Sequence, residues 1–228
     1  MTKNAKKIGL VGHQGKMGLE IARVLSAKNL EFQGVTRADL SSRSLLEISV
    51  LIDFSVAEAV PAVIDFALKK GIPVVSGTTG PDVENQWLVA AEKIPVLWSS
   101  NMSLGVAVLK KSLHTLRALS SQNFDFQIEE IHHRQKKDKP SGTAVTLQKT
   151  LESCLTLDQQ QQLAPVQSLR LGGVYGIHRV YATSQDESLL FEHQALNRSV
   201  FAQGAVTAAL WLQSQTKGFY RMEDLLGL

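Results

Sequence analysis

Cysteine is almost missing from this sequence, because Cys154 is the only one among 228 residues. A single thiol excludes an internal disulfide, a CxxC redox motif and a cysteine-rich zinc site. Such a composition suits a reducing compartment. The sequence therefore favours a cytoplasmic protein.

Long apolar runs and a strong net charge are also missing. No stretch approaches the roughly 20 apolar residues that a membrane-spanning helix needs. The basic start, Met1 to Lys7, leads into a short apolar stretch that Gly9 interrupts, so we expect no export signal. The formal charge of +3 is too small for a general nucleic-acid binder. We expect a globular protein whose partners include neither membranes nor nucleic acids.

The first part of the chain alternates short apolar runs with helical patterns. The strand candidates are 7–11, 32–36, 50–53, 73–76 and 95–99. Helical spacing is seen in Met17, Ile21, Val24 and Leu25, in Val60, Val63, Ile64, Ala67 and Leu68, and near 84–92. This alternation predicts a parallel sheet with helices on both faces, an α/β doubly wound (Rossmann-like) dinucleotide domain.

After Asn101 the pattern changes. A long helical pattern covers Leu104 to Leu119, and a helix is expected over Ala202 to Thr216, followed by a short amphipathic tail from Met222 to Leu226. Between these helices lie strand candidates at 124–131, 167–170, 180–183 and 188–194, with no regular helices expected between them. We predict a smaller α+β domain with a mixed or antiparallel sheet.

A glycine-rich turn lies between the first strand and the first helix, Gly12-x-x-Gly15-x-Met17-Gly18. In that position glycines let the backbone approach a pyrophosphate, while the helix N-terminus supplies N–H donors and a positive dipole. Gln14 replaces the second glycine of the usual motif, so a plain tight turn remains an alternative. The segments Gly77–Gly80 and Ser99–Met102 follow the fourth and fifth strands, at the sheet edge where such folds bind ligands.

The end of the second strand bears on cofactor choice. An acidic residue normally holds the ribose diol there, but this sequence has Thr36 and Arg37. A guanidinium binds phosphate well, so NADPH is expected to be preferred over NADH. Asp39 is close enough in sequence to keep NADH use open.

The stretch Glu130 to Ala144, EIHHRQKKDKPSGTA, concentrates basic residues between a strand and a helix start. Ser141 can cap that helix, and the backbone N–H groups near Gly142 and Thr143 form an anion site. A small polycarboxylate would fit. A solvated charge run, a metal site at the paired histidines and contact with nucleic-acid phosphates are the alternatives, and we expect no metal. His178 and His193 are more simply structural histidines in strands.

Taken together, the segments GHQGKMG, GTTG, SSNMSLGV, EIHHRQKKDKPSGTA and NRSVFAQGAVTAALW resemble, in order, the motifs of the 4-hydroxy-tetrahydrodipicolinate reductase (dihydrodipicolinate reductase) family. The resemblance covers nearly the whole chain, and the HHxxKxDxPSGTA pattern is its most specific part. It implies an NAD(P)H-dependent oxidoreductase of diaminopimelate and lysine biosynthesis that acts on a small dicarboxylate.

The resemblance also implies roles for particular residues. His132 and Lys136 are expected to be catalytic, and His133, Gly142 and Thr143 to bind the substrate. The expected cofactor contacts, together with Arg37 from the second strand, are Gly12, His13, Gln14, Gly15, Lys16, Met17, Gly77, Thr78, Thr79, Ser99, Ser100, Asn101 and Met102. Residues 1–103 and 198–228 are expected to form the dinucleotide-binding domain, and 104–197 the substrate-binding and oligomerisation domain of a homotetramer.

Two departures from the family pattern stand out. The acidic ribose residue of many members is absent, and only Ala38 to Ser49 separates the second and third strands, so the helix there is expected to shrink to a loop. Two other functions stay open: a two-domain reductase of another small amino or keto acid, and a nucleotide-sensing protein that uses the basic loop to bind a partner.

Overall fold

The computed structural model describes residues 7–41 and 47–227. Up to Ser103 the chain alternates strands and helices, as its apolar pattern predicts. The strands are β1 (Lys7–Val11), β2 (Phe32–Val35), β3 (Ile48–Asp53), β4 (Val74–Ser76) and β5 (Pro95–Trp98). The helices are α1 (Lys16–Ala27), α2 (Arg37–Ser41), α3 (Val60–Lys70) and α4 (Val83–Ala90), with a 3₁₀ turn at Ala57–Ala59.

The middle of the chain forms a mixed sheet with helices. The strands are β6 (Asp125–His132), β7 (Gln167–Arg170), β8 (Ile177–Thr183) and β9 (Ser188–Gln194). The helices are α5 (Leu104–Ser112), which continues as a 3₁₀ segment (Leu113–Leu119), α6 (Gly142–Glu152) and α7 (Leu157–Gln162). The last part of the chain contains α8 (Ser199–Leu212), β10 (Gly218–Tyr220) and α9 (Met222–Leu225).

The described residues divide into two compact units. The first unit takes its residues from Met1–Ser103 and Arg198–Gly227, and the second from Leu104–Asn197. In the first unit the strand order is β10-β5-β4-β3-β1-β2, and every pairing is parallel. In the second unit the order is β7-β6-β8-β9, where β6 and β7 are parallel and the other pairs antiparallel. The fold class expected from the sequence is confirmed.

Each unit has its own apolar core. In the first, alternate strand residues such as Val11, Leu51 and Val74 pack with Phe66 and Trp87 from α3 and α4. Helix α8 contacts β3, β4, β5 and α1. In the second, one face of the sheet, including Ile128 and Val180, packs with residues of α5, α6 and the 3₁₀ segment. The alternation of buried and half-buried residues along β8 shows that the unit's own core covers one face of this sheet more fully than the other.

Several predicted boundaries were wrong. β2 and β5 each end one residue earlier than expected, β3 and β8 begin earlier, and α8 spans 199–212 rather than 202–216. The expectation of no regular helices between the later strands was also wrong, because α6 and α7 lie between β6 and β7. Strand β10 was missed, since three residues are too few to show a period.

The loop expected over Ala38 to Ser49 is in part helical. Helix α2 occupies its first residues, β3 begins at Ile48, and residues 42–46 lie outside the described part of the chain. Within the described ranges, no helix combines the length and the apolar character that crossing a membrane requires.

Candidate active site

The glycine turn connects β1 to α1 in the first unit. Gly12 has φ of +77°, and a Cβ there would lie 2.2 Å from the Phe54 carbonyl oxygen. A Cβ on Gly18 would lie 2.1 Å from the Gly12 carbonyl oxygen, so α1 packs directly against the turn. Gly15 is the N-cap and has no side chain that could cap the first turn of α1. The backbone N–H groups in the first turn of α1 therefore donate no hydrogen bond to an N-cap side chain. A bound anion could accept hydrogen bonds from them.

A cavity of about 380 Å³ opens beside this turn. The expected residues Gly12, His13, Gln14 and Gly15 line it together with Arg37. The other lining residues, which sequence analysis did not assign, are Val11, Val35, Thr36, Leu40, Ser55, Val56, Glu58, Ala59 and Ala62. The cavity is thus bounded by the end of β1, the end of β2 and the segment before α3. Only the fold brings that last segment to the turn.

Thr36 and Asp39 form the N-terminal cap of α2. The Thr36 backbone N–H and hydroxyl donate to Asp39 Oδ2 at 2.8 and 2.6 Å, and the Asp39 N–H donates to Thr36 Oγ1 at 3.3 Å. The hydrogen bonds from Thr36, together with the His13 charge, lower the pKa of Asp39. The Asp39 carboxylate is therefore held at the helix start, whereas Arg37 next to it lines the cavity.

A buried polar network lies beneath the Gly77–Gly80 segment. Asp53 is fully buried and accepts hydrogen bonds from the Ser55 hydroxyl at 2.5 Å and the Ser76 hydroxyl at 2.8 Å. Burial raises the pKa of Asp53, although its hydrogen bonds act in the opposite direction. Thr78 joins the network, because its hydroxyl accepts from the Ser55 N–H at 2.9 Å. Asp53 and Ser76 were not identified as site residues from the sequence. Their hydrogen bonds stabilise the Gly77–Gly80 segment, which was identified.

The segment Ser99–Met102 is ordered by its own hydrogen bonds and by α8. The Ser99 N–H donates to the Ser76 carbonyl at 3.2 Å, which ties this segment to the end of β4. Asn101 Oδ1 accepts from the Ser103 N–H at 2.8 Å. A Cβ on Gly204 of α8 would lie 1.7 Å from the Met102 carbonyl oxygen, so the helix contacts the segment at its backbone. Neither this segment nor Gly77, Thr78 and Thr79 lines the 380 Å³ cavity.

The basic loop lies in the second unit, between β6 and α6. Ser141 caps α6 as expected, because its hydroxyl accepts from the Ala144 N–H at 3.2 Å. Thr143 is buried in the first turn of that helix, and Gly142 is exposed. Lys136 is half-buried and forms an ion pair with Asp138 at 3.0 Å, whereas Lys137 is exposed. The two neighbouring lysines therefore differ in surroundings as well as in position.

His132, the last residue of β6, is held by a buried glutamate. Its Nδ1 contacts Glu130 Oε2, and Glu130 Oε1 forms an ion pair with Arg170 Nη1 at 2.8 Å. Glu130 is 0% exposed and His132 7%. Burial alone would raise the pKa of Glu130, but the hydrogen bond from Arg170 and the nearby positive charges lower it overall. This carboxylate is therefore ionised in the unit's interior.

His178 completes the surroundings of His132. The two rings meet edge to face with centroids 5.1 Å apart, and His178 Nε2 lies 3.3 Å from Ser141 Oγ. Burial, with the neighbouring His132 charge, lowers the pKa of His178 to about 3. The pKa of His132 is also lowered, first by burial, while the Glu130 charge acts to raise it. His178 is neutral at physiological pH, and its place in the strand agrees with a structural role.

Ligand atoms of Glu130, His132 and His178 lie within 4.8 Å of one another, a spacing that a metal ion could bridge. The expectation from sequence that no carboxylate lies at ligand spacing beside the paired histidines was wrong, because the alternation along β6 places Glu130 on the same face as His132. The Arg170 guanidinium already balances the Glu130 charge. A second cation at that point would face this guanidinium, so we continue to expect no metal.

The chain was compared with known proteins. A family model described as the C-terminus of dihydrodipicolinate reductase matches residues 105–226, and one for its N-terminus matches residues 29–102, beginning after the glycine turn. A 4-hydroxy-tetrahydrodipicolinate reductase of Bdellovibrio bacteriovorus is 47% identical over 96% of both chains. The protein of the same name from Zymomonas mobilis is 39% identical over 100% of both.

Solved structures show the same fold. A dihydrodipicolinate reductase from Paenisporosarcina sp. TG-14, with dipicolinate bound, superposes with a TM-score of 0.74 over 96% of this chain and 98% of that one, at 19% identity. An amine dehydrogenase from Mycobacterium smegmatis reaches a TM-score of 0.61 at 10% identity, covering 96% of each chain. Because the second protein has a different name and a similar fold, the architecture alone does not define the substrate.

Proposed function

This chain belongs to the dihydrodipicolinate reductase family, and we propose that it catalyses the NAD(P)H-dependent reduction of 4-hydroxy-tetrahydrodipicolinate to tetrahydrodipicolinate in diaminopimelate and lysine biosynthesis. The observation that carries this proposal is the identity of 47% along 96% of both chains to a relative of that name. The basic loop supports it independently, because the His132 ring contacts Glu130 of a buried ion pair and the Lys136 backbone carbonyl accepts a hydrogen bond from Arg170 of the same pair.

The two units take different parts of this task in our proposal. Residues 1–103 and 198–228 form the dinucleotide-binding domain, and residues 104–197 form the substrate-binding domain. The parallel sheet, the glycine turn and the cavity at the carboxyl ends of β1 and β2 support the first assignment. The basic loop and the start of α6, whose first turn has no acidic residue, support the second.

NAD(P)H fits the first unit. The close backbone packing at Gly12 and Gly18 leaves the N-terminus of α1 accessible to a pyrophosphate, and the adjoining cavity has a volume suited to a nucleoside. When bound, the nicotinamide supplies the hydride. The residues we assign to its binding are Gly12, His13, Gln14, Gly15, Lys16, Met17, Arg37, Gly77, Thr78, Thr79, Ser99, Ser100, Asn101 and Met102.

NADPH is the preferred cofactor in this proposal. Arg37 lines the cavity, and the Asp39 carboxylate, the nearest substitute for the usual ribose ligand, is engaged by Thr36. Glu58 lines the same cavity and opposes a 2′-phosphate. We therefore expect a modest preference, about tenfold, which corresponds to roughly 1.4 kcal/mol.

The substrate is a small dicarboxylate. Its carboxylates are bound by His133 and by the N-terminus of α6, where Gly142 and Thr143 offer backbone N–H groups. His132 holds the proton that is delivered to the carbon made nucleophilic by hydride addition, and Lys136 is the second proton donor. A positioned general acid supplies typically about 10²- to 10⁴-fold in rate.

The substrate-binding domain also assembles a homotetramer in this proposal. The face of its sheet that turns away from the unit's core carries Tyr181 and Leu190 on paired strands, and Leu190 is 53% exposed. Leu169, on the same face of β7, is 47% exposed. Large exposed apolar side chains on one sheet face indicate a protein contact.

The decisive test is turnover. Purified enzyme is mixed with NADPH or NADH and with freshly made product of dihydrodipicolinate synthase, and cofactor oxidation is followed by the loss of near-ultraviolet absorbance. Turnover supports the proposal. Tight cofactor binding without turnover would instead support a nucleotide sensor, and turnover only with other amino or keto acids would support a different reductase.

A further inference from the structure

Resting on the proposed function, we propose that Glu130 is a positioning residue for this reaction: it orients His132 through Nδ1 and, through Arg170, holds the loop that carries Lys136. The relevant feature is a single buried carboxylate with a separate partner on each oxygen. Glu130 Oε2 contacts His132 Nδ1, and Glu130 Oε1 contacts Arg170 Nη1 at 2.8 Å. The HHxxKxDxPSGTA pattern does not include Glu130, so the pattern by itself does not predict this role.

The strand geometry sets this arrangement. Glu130 and His132 are two residues apart on β6, so their side chains share a face. His132 is directly paired with Arg170 in the parallel register of β6 and β7, which brings the guanidinium beside the glutamate. The neighbouring Glu129 lies on the opposite face and pairs with a different arginine, Arg179, at 2.9 Å. The sheet thus separates two Glu–Arg pairs with different surroundings.

The contact with Glu130 defines which nitrogen of His132 exchanges a proton. A carboxylate at Nδ1 favours a hydrogen on that atom, so proton exchange is left to Nε2. Glycine at position 176 leaves space beside that atom, because a Cβ there would lie only 3.0 Å from His132 Nε2. When Nε2 takes a proton, the resulting imidazolium lies beside an ionised carboxylate, which stabilises it.

Several basic groups surround His132, and the Glu130 carboxylate opposes their effect on the protonation of its ring. Lys136, Arg170 and His178 face the ring from the loop, from β7 and from β8, and positive charge on any of them disfavours the imidazolium. Glu130 is the anionic group that faces the ring and acts in the opposite direction. His178 stays neutral, because burial lowers its pKa to about 3. Removing the Glu130 charge should therefore shift protonation of His132 to lower pH.

Arg170 also connects the Glu130–Arg170 ion pair to the loop that carries Lys136, through hydrogen bonds to its backbone. Its Nε donates to the Lys136 carbonyl at 3.2 Å, and its Nη2 donates to the Asp138 carbonyl. The backbone on both sides of Lys137 is thereby attached to the guanidinium that Glu130 neutralises. The orientation of one proton donor and the placement of the other depend on one ion pair.

The test is Glu130→Gln, which keeps the shape of the side chain and removes its charge. We expect kcat to fall about 10- to 100-fold, less than most of the roughly 10²- to 10⁴-fold that a general acid contributes because His132 itself remains, with the Kd for NADPH unchanged within about twofold. NMR of isotope-labelled histidine should show the His132 titration midpoint moved to lower pH. Glu129→Gln, a matched loss of charge on the other face of the same strand, should leave both measurements unchanged.

A double-mutant comparison separates positioning from general damage. If Glu130 acts through His132, Glu130→Gln should lower kcat much less in a His132→Gln background than in the wild type. Equal losses in both backgrounds, or an unmoved His132 titration, would overturn the proposal. Because Glu130→Gln leaves the Arg170 charge buried and unbalanced, thermal unfolding is recorded. Glu130→Gln combined with Arg170→Gln provides a charge-neutral version if the single variant does not fold.

The proposed function and the proposed role of Glu130 can fail independently of each other. The NMR titration of His132 does not depend on any substrate, so a shift in Glu130→Gln would support the Glu130–His132 coupling even for an enzyme that proves inactive with this substrate. A shifted titration with a normal kcat would instead overturn the positioning role, because Glu130 would then orient a histidine that the reaction does not use.

Discussion

Lys136 and Lys137 are adjacent in the chain and carry the same charge, but their surroundings differ. Lys136 is half-buried against Asp138, and its carbonyl is held by Arg170, whereas Lys137 is exposed. We expect Lys136→Ala to damage kcat or substrate binding severely and Lys137→Ala to be mild, as steady-state kinetics of both variants would show. If the two variants behave alike, the loop acts only as a diffuse positive field.

His132 is the residue on which the proposed proton transfer depends. His132→Gln should lower kcat by about 10²-fold or more, because it removes a proton donor. The Kd for NADPH should stay nearly unchanged, because His132 and the glycine turn belong to different units. Steady-state kinetics and fluorescence titration with NADPH measure the two effects. A variant with near-normal kcat would remove His132 from the mechanism.

Arg37 determines the cofactor preference in our proposal. Its guanidinium can form charge-assisted hydrogen bonds with a 2′-phosphate, each worth on the order of 1.5 to 3 kcal/mol before solvent exposure reduces them. Arg37→Ala should therefore raise the KM for NADPH, leave that for NADH nearly unchanged, and have a smaller effect at high salt.

A matched control is Arg23→Ala. Arg23 is an exposed arginine of α1 that pairs with Glu20 at 3.0 Å and does not line the cavity, so its loss should change neither KM. Equal losses with both cofactors in Arg37→Ala would show that Arg37 supports the fold or the adenine site, and the phosphate contact would have to be withdrawn.

At the scale of elements, α1 and the glycine turn form one packed unit. Alanine is normally better than glycine within a helix, by about 0.5 to 1 kcal/mol. At Gly18 the added methyl would lie 2.1 Å from the Gly12 carbonyl oxygen, so the turn must move. We expect Gly18→Ala to lower the free energy of unfolding by about 1 to 3 kcal/mol and to weaken NADPH binding.

Denaturant unfolding and NADPH titration measure these effects, with Leu19→Ala as the control. Leu19 is the next residue of α1 and is 52% exposed, so its truncation should change little. A stabilised Gly18→Ala variant would show that the turn has room to relax, and the close packing of helix against turn would then have no part in cofactor binding.

At the scale of the whole molecule, the open face of the second unit's sheet is the proposed assembly surface. A charge in its apolar patch should oppose association, so Leu190→Asp is expected to reduce the assembly to smaller species without loss of secondary structure. Light scattering after size exclusion measures the mass. Leu157→Asp, at a leucine of α7 that is 74% exposed outside the sheet, should keep the native mass. Unchanged assembly in Leu190→Asp would place the interface elsewhere.

The order and type of the elements followed from the sequence, because helix and strand periods are recorded in neighbouring residues. Alternation along the first part of the chain predicted the parallel sheet, and the segment around Ser141 predicted the cap of α6. Short elements could not be found in this way. The three residues of β10 form a strand because β5 offers an unpaired edge, which is a property of the folded sheet.

The candidate residues could also be selected from the sequence, since glycines in a turn and basic residues in a loop are local signals. Their partners could not. Glu130 and Arg170 are 40 residues apart and meet because β6 and β7 pair in one register. Likewise, the segment before α3 lines the cavity only because β3 lies beside β1. Register and strand order depend on the packing of both cores, so tertiary structure alone decided which groups surround each site.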